Sequence, residues 1–344
     1  MIESSETLYR RRTPAALVAI CISVVTIAIG CLSCNSPSSS IPQGGDSNQY
    51  VEAYKAATWG STMTVSFPSS CEMTITTTGK PNYSPNPYYL APASGGQTVV
   101  AHTAVTNTPL AVISYSGMIE PRLLGSSATI NSCPTLATNP TPTSGGAIGY
   151  LISGTAMFDS FEMDASTPAL SDNASYAFTD GSGTVQTAYF LDPCASHSNG
   201  STWHAHGNPD CVTSQIDSTN GASHIIGVAL DGFPIYGGRD INGNVTSVSQ
   251  LDACNGINSA TPEFPNGAYH YVLPIGVTSK YASLNCYSGA PSPEAMAAAE
   301  QLACVMKAMF AVTGSKRQKQ AAPAEMAMPD RTIMHRSPAR SVVL

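Results

Sequence analysis

The stretch Ile226-Gly227-Val228-Ala229-Leu230-Asp231-Gly232-Phe233-Pro234-Ile235-Tyr236 reads as a β-hairpin. A short apolar strand runs into Asp-Gly, where glycine supplies the positive φ of a tight turn, and a second apolar strand returns. An earlier stretch repeats the design: Ile148-Gly149-Tyr150-Leu151-Ile152-Ser153-Gly154 turns at Ser-Gly and continues to Met157-Phe158. Each hairpin is followed by a matching cysteine element, Leu191-Asp192-Pro193-Cys194 or Leu251-Asp252-Ala253-Cys254. Each copy then reaches an aromatic-His pair, Trp203-His204 or Tyr269-His270, and closes on Cys211 or Cys286. Four features recurring in one order imply a duplicated β unit, over about residues 147–211 and 225–287. The two histidine strands are then related by a pseudo-twofold axis.

Working outward, the same character extends across residues 60–290. Met63-Thr64-Val65-Ser66-Phe67 and Met73-Thr74-Ile75-Thr76 alternate β-branched and polar residues as half-buried strands do. Val99 to Val105 and Leu110 to Tyr115 continue the pattern, separated by Pro/Asn/Gly clusters. Only 11% of residues are charged, while Gly (28) and Pro (25) are abundant, as in a chain of short strands and many turns. The expected fold is mostly β: duplicated hairpin units forming a sandwich- or barrel-like ectodomain, with one helix near the C-terminus. Ser292-Pro293-Glu294 opens that helix with a good N-cap, a favoured first residue and an acid at the positive end. It is expected over 291–313, followed by a disordered basic tail over 314–344.

At the other end, Arg10-Arg11-Arg12 precede an apolar run from about Ala15 to Cys34. Basic residues before such a run mark a secretory signal or an N-terminal membrane anchor over residues 1–34. The Ser/Pro/Gly-rich residues 35–59 read as a flexible tether. The expected location is therefore secreted, periplasmic or cell-surface, tethered to the membrane if the leader is uncleaved or lipidated. Residues 60–290 carry fourteen acids against Lys80, Arg122, Arg239 and Lys280, which argues against nucleic acid as a partner and is compatible with cation binding.

Seven of the ten cysteines lie beyond the leader. In an exported chain they are expected to pair, with Cα atoms within about 7 Å. Cys194 is assigned to Cys211 and Cys254 to Cys286, because each pair brackets an equivalent histidine strand. Cys71 with Cys133 follows by elimination and leaves Cys304 free.

The segment from about Ala147 to Gly289 resembles the YHYH domain family, named for a Tyr-His-Tyr-His motif. The resemblance is carried by Leu191-Asp192-Pro193-Cys194, Trp203-His204-Ala205-His206-Gly207 and His224-Ile225-Ile226-Gly227. It continues through Ala229 to Gly237, Leu251-Asp252-Ala253-Cys254-Asn255-Gly256 and Tyr269-His270-Tyr271. The chain departs from the motif in both copies. Trp203 and Ala205 replace the two tyrosines of the first, and Val272 replaces the last histidine of the second. Ile257 stands where the family often has a histidine after Asn-Gly. The resemblance implies no particular activity.

His204 and His206 are two residues apart, so a strand projects both from one face. His270 is expected from the equivalent strand of the second unit. Three imidazoles with an open fourth position suit Zn²⁺ or Cu²⁺. His197 and His224 are further candidate ligands, and Asp192 and Asp252 are candidates to orient ring N–H groups. Two other readings compete. In one, the histidines are structural ties in a β core and the protein is an adhesion or surface module. In the other, the metal serves a hydrolase or oxidoreductase, although no Gly-x-Ser-x-Gly, His-Glu-x-x-His or phosphate loop names a reaction.

Overall fold

In the computed structural model, the described residues are 48–298 apart from 85–87, 91–103, 106–107, 110–111, 115–124, 144, 163–164, 173–174, 180–182 and 199–202. Helix α1 (Asn48–Ala56) comes first, followed by β1 (Met63–Ser69), β2 (Glu72–Thr77), β3 (Tyr88–Leu90) and β4 (Ala104–Val105). Next are β5 (Thr108–Pro109), β6 (Val112–Ser114), β7 (Ser126–Asn131), β8 (Leu136–Pro142), β9 (Ala147–Leu151) and β10 (Ala156–Phe158). Then come β11 (Ser175–Thr179), β12 (Val185–Tyr189), β13 (Ser196–Ser198), β14 (Trp203–Ala205) and the short helix α2 (Asp210–Thr213). The series ends with β15 (Ile225–Ala229), β16 (Pro234–Tyr236), β17 (Gly256–Ser259), β18 (Ala268–Val272) and β19 (Cys286–Gly289).

The two hairpins, β9–β10 and β15–β16, lie back to back inside an eight-stranded sheet of order β13-β14-β10-β9-β15-β16-β18-β17. Each half makes the same connections outward from the centre: antiparallel in the hairpin, parallel to the histidine strand, antiparallel to the edge. At the centre β9 meets β15 antiparallel, with Tyr150 opposite Val228 and Gly149 opposite Ala229. Tyr150 and Val228 are equivalent positions of the two repeats, so the pseudo-twofold axis passes between them. The approach is close. A Cβ on Gly149 would lie 2.5 Å from the Val228 carbonyl oxygen, and one on Gly227 would lie 2.5 Å from that of Tyr150. Both hairpin turns place glycine at positive φ, +83° at Gly154 and +91° at Gly232, with N–H groups returning to Leu151 and Ala229.

Both central strands are buried at every residue, which explains why they read as continuous apolar runs rather than alternating ones. A three-stranded sheet, β1-β2-β7, contributes Met73, Ile75, Ala128 and Ile130 to the same core as Ile148, Tyr150, Val228 and Ile235. Smaller sheets, β11-β12-β3-β6, β19-β8 and β4-β5, complete the described structure. The large sheet ends in the edges β13 and β17, so the arrangement is an open, sandwich-like one, not a closed barrel.

The expected tether over 35–59 needs correction. Residues 48–56 form α1, whose Tyr50 and Tyr54 are buried in the core. The Tyr54 hydroxyl donates to the Gly232 carbonyl (2.5 Å) and that of Tyr50 to the Tyr269 carbonyl (3.3 Å). Two aromatic anchors four residues apart on one helical face outweigh the polar composition around them. The three cysteine pairings hold, with Cα separations of 5.0 Å (Cys71–Cys133), 5.2 Å (Cys194–Cys211) and 4.7 Å (Cys254–Cys286). Three such pairs suit an oxidising environment. Residues 293–298 are helical, with Ser292 Oγ accepting the Ala295 N–H as its cap. The remainder of that expected helix, the basic tail, Cys304 and the leader lie outside the described residues. Among the described residues no helix is long and apolar enough to cross a membrane.

Candidate metal centre

Strand register builds the site. On β14, His204 projects from one face, and His206, just beyond the strand end, follows it by two residues. Neighbouring β13 runs antiparallel with His197 directly opposite His204. The ladder continues through the His206 N–H, which donates to the Ala195 carbonyl (2.9 Å). An i, i+2 pair and a cross-strand neighbour therefore place three imidazoles on one patch. Their candidate ligand nitrogens all lie within 4.8 Å of one another.

The three rings are 2–3% exposed and walled by aromatic side chains. Phe158 on β10 stacks on His204 at 3.9 Å between centroids, and Phe190 meets His197 edge-on at 4.8 Å. The Nε2 atoms of His197 and His206 are 3.1 Å apart, close to the ~3.3 Å expected for two nitrogens on one tetrahedral ion with bonds of about 2.0–2.1 Å. His206 donates its Nδ1 proton to the Asp159 carbonyl (2.7 Å), which leaves the Nε2 lone pair facing its neighbours. A backbone carbonyl thus orients this ligand. Nδ1 of His197 is buried on the side of Phe190. Burial pushes the His206 pKa down to about 4 against the smaller opposing effect of the Asp159 carbonyl. Burial, and next the neighbouring His206, push that of His197 well below the usual histidine range. Both rings are held neutral, with the His206 Nε2 lone pair turned toward His197, and neutral imidazole is the protonation state that metal ligation requires.

The other expected ligands go elsewhere. His270 does not converge on His204 and His206: β18 lies five interstrand steps from β14 in the sheet, about 24 Å at the usual spacing. It occupies instead the position equivalent to His204, with Tyr236 against its ring (4.7 Å) where His204 has Phe158. Burial lowers its pKa too. In that half, Ile257 stands opposite His270 as His197 stands opposite His204. Val272 donates its N–H to Asn255 as His206 does to Ala195, so the second half retains one of the three histidines. His224 is half-exposed and pairs with Glu263 (Nδ1 to Oε1, 2.8 Å).

Asp192 and Asp252 do not hold the rings. Each uses Oδ1 to accept two backbone N–H groups of its own turn, Cys194 and Ser196 or Cys254 and Gly256. Their role is to shape the turn that launches the edge strand. Asp252 also accepts the Tyr269 hydroxyl on Oδ2 (2.7 Å). At Asp192, tryptophan has replaced that tyrosine and Oδ2 is buried without a partner. Burial pushes the Asp192 pKa up to about 7, against the two backbone bonds.

His197 takes the place expected for His270, and the sequence held the signal. It lies five residues after Asp192, as Ile257 lies five after Asp252, and Ile257 is where a family histidine is expected. Residues 127–247 and 240–289 match the family described as YHYH protein. No curated protein and no solved structure matches the chain. The matched span contains both hairpins, both cysteine turns and both histidine strands, and residues 127–289 form a domain similar to the YHYH protein family.

Proposed function

We propose that this is an exported, disulfide-bonded protein whose YHYH domain holds one transition-metal ion, zinc or copper, on His197, His204 and His206. The observation that carries the reading is the convergence of three buried imidazoles, with two Nε2 atoms 3.1 Å apart. The three disulfides and the basic-then-apolar leader support export, and the leader would join the chain to the membrane where it is retained or lipidated.

The test is retention. The full chain, loaded with Zn²⁺ or copper and desalted, should keep one ion per chain. His206→Ala should lose it, while His270→Ala and His335→Ala should not. A wild-type chain that retains no stoichiometric metal refutes the proposal. One observation favours a second reading: the His197–His206 contact is also a hydrogen bond that needs no ion. In that case the histidines tie β13 to the end of β14 as purely structural residues, and the domain is a surface module. Catalysis, hydrolytic or oxidative, would need substrate access to a centre whose three rings are buried.

A further inference from the structure

We infer that the ion this site is built for is monovalent copper, Cu(I), held by nitrogen donors alone. The inference rests on the metal-binding reading and concerns which charge the cavity accepts. The group contains three imidazoles and no carboxylate or thiolate, so every unit of ionic charge stays uncompensated by its ligands. The rings are almost fully buried, and Phe158 and Phe190 pack against them. Neither Asp159 nor Asp192 belongs to the ligand group, although Asp192 keeps a buried Oδ2 without a partner. Asp159 offers His206 its carbonyl while its Oδ1 accepts the Phe161 N–H (3.1 Å), and Asp192 caps its own turn.

Charge then decides between ions. The desolvation cost of an ion scales with the square of its charge, so a divalent ion pays about four times what a monovalent one pays in the same cavity. Zn²⁺ and Cu²⁺ usually relieve that cost with a charged ligand, or with a fourth position open to water or hydroxide. Cu(I) has a filled d shell and is satisfied by two or three neutral nitrogen donors without water. The close His197–His206 pair with His204 beside it supplies that donor set.

The experiment compares ions on the full chain, with free thiols alkylated first, because Cys21, Cys31, Cys34 and Cys304 are outside the three described disulfides and thiolates also bind Cu(I). Under anaerobic conditions with ascorbate, the protein competes with a bathocuproine-type chelator for Cu(I). In parallel it competes with chromophoric chelators for Zn²⁺ and Cu²⁺ at the same pH. The expected result is one Cu(I) per chain, bound at least about a hundredfold more tightly than either divalent ion. Loss of that Cu(I) is expected in both His206→Ala and His197→Gln, with folding checked by near-UV circular dichroism. X-ray absorption of the wild type should show a shell of two or three nitrogens and no sulfur, a readout that needs no variant. A preference under a hundredfold, or one for Zn²⁺ or Cu²⁺, overturns the monovalent assignment while leaving the metal site standing. Cu(I) retained by folded histidine variants, or a sulfur shell, also overturns it. If no ion binds at all, the metal reading itself falls.

Discussion

Installing histidine at Ile257 and Val272 should give the second half of the sheet a metal centre of its own. The registers are already in place. Ile257 faces His270 across β17–β18 as His197 faces His204 across β13–β14. Val272 is tied to Asn255 (2.9 Å) as His206 is tied to Ala195 (2.9 Å). Val272 is 3% exposed, so an imidazole there replaces a smaller side chain in a packed site, at a cost of about 1–3 kcal/mol. Metal at a hundred times its dissociation constant returns about 2.7 kcal/mol. The double variant should therefore melt below wild type without metal and recover most of the loss when metal is added. Elemental analysis after desalting should give two ions per chain for Ile257→His/Val272→His, and one for wild type and for each single variant. A double variant that is folded by near-UV circular dichroism yet still holds one ion would refute the argument, because matching register would then not suffice to build the centre.

Three further outcomes follow from the same geometry. His206 has a folded pKa near 4 against about 6.5 unfolded, so the unfolded chain binds the extra proton between these values. Its contribution of about 3 kcal/mol, at 1.36 kcal/mol per unit, is present above pH 6.5 and lost as pH falls to about 4; urea titrations of metal-free His206→Gln should show a flatter pH profile than wild type over that window. Opening Cys194–Cys211, a 17-residue separation, should cost about 3 kcal/mol and weaken metal retention; opening Cys254–Cys286 should cost about as much and leave retention intact, and equal retention in both would break the assignment of the centre to the first copy. Trp203→Tyr should return a hydroxyl to Asp192. Since that bond favours the carboxylate, the Asp192 pKa should drop from about 7, and the variant's stability relative to wild type should rise between pH 5 and pH 8, as read by unfolding at both pH values.

The hairpins were legible because Gly154 and Gly232 mark turns that need positive φ, and because β9 and β15 are apolar throughout, as strands covered on both faces must be. The disulfides were legible because duplication assigns equivalent cysteines. Helix α1 was missed since nine residues with two buried tyrosines carry too little apolar pattern to stand out from a polar linker. The open edges of the sheet depend on where β13 and β17 stop pairing, which no local pattern encodes. His270 was drawn into the wrong place for a related reason. Duplication tells which residues are equivalent, but strand order decides whether equivalent residues meet. Here the symmetry axis lies between β9 and β15, and each histidine strand is the third strand out from it.

The same alternation explains how this chain has divided the family motif. In Tyr-His-Tyr-His along a strand, tyrosines and histidines point to opposite faces. In the second copy Tyr269 and Tyr271 keep their side of the bargain. The Tyr271 hydroxyl donates to buried Asp231 (2.5 Å) and accepts the Ser288 N–H (2.6 Å), while that of Tyr269 joins Asp252 to Ser288. That network ties β18 to β19, and its opposite face carries Ile257, His270 and Val272. In the first copy Trp203 donates its indole N–H to the Tyr83 hydroxyl (2.9 Å), Asp192 has a buried oxygen without a partner, and the opposite face carries His197, His204 and His206. One copy has the hydroxyl network and a single histidine; the other has three histidines, with Trp203 and Ala205 at the tyrosine positions. In the second copy Ile257, His270 and Val272 lie on the face away from Tyr269 and Tyr271, so their identity does not touch the hydroxyl network. Oδ2 of Asp192, whose counterpart on Asp252 accepts the Tyr269 hydroxyl, is buried without a partner, in the half of the sheet that carries the proposed site.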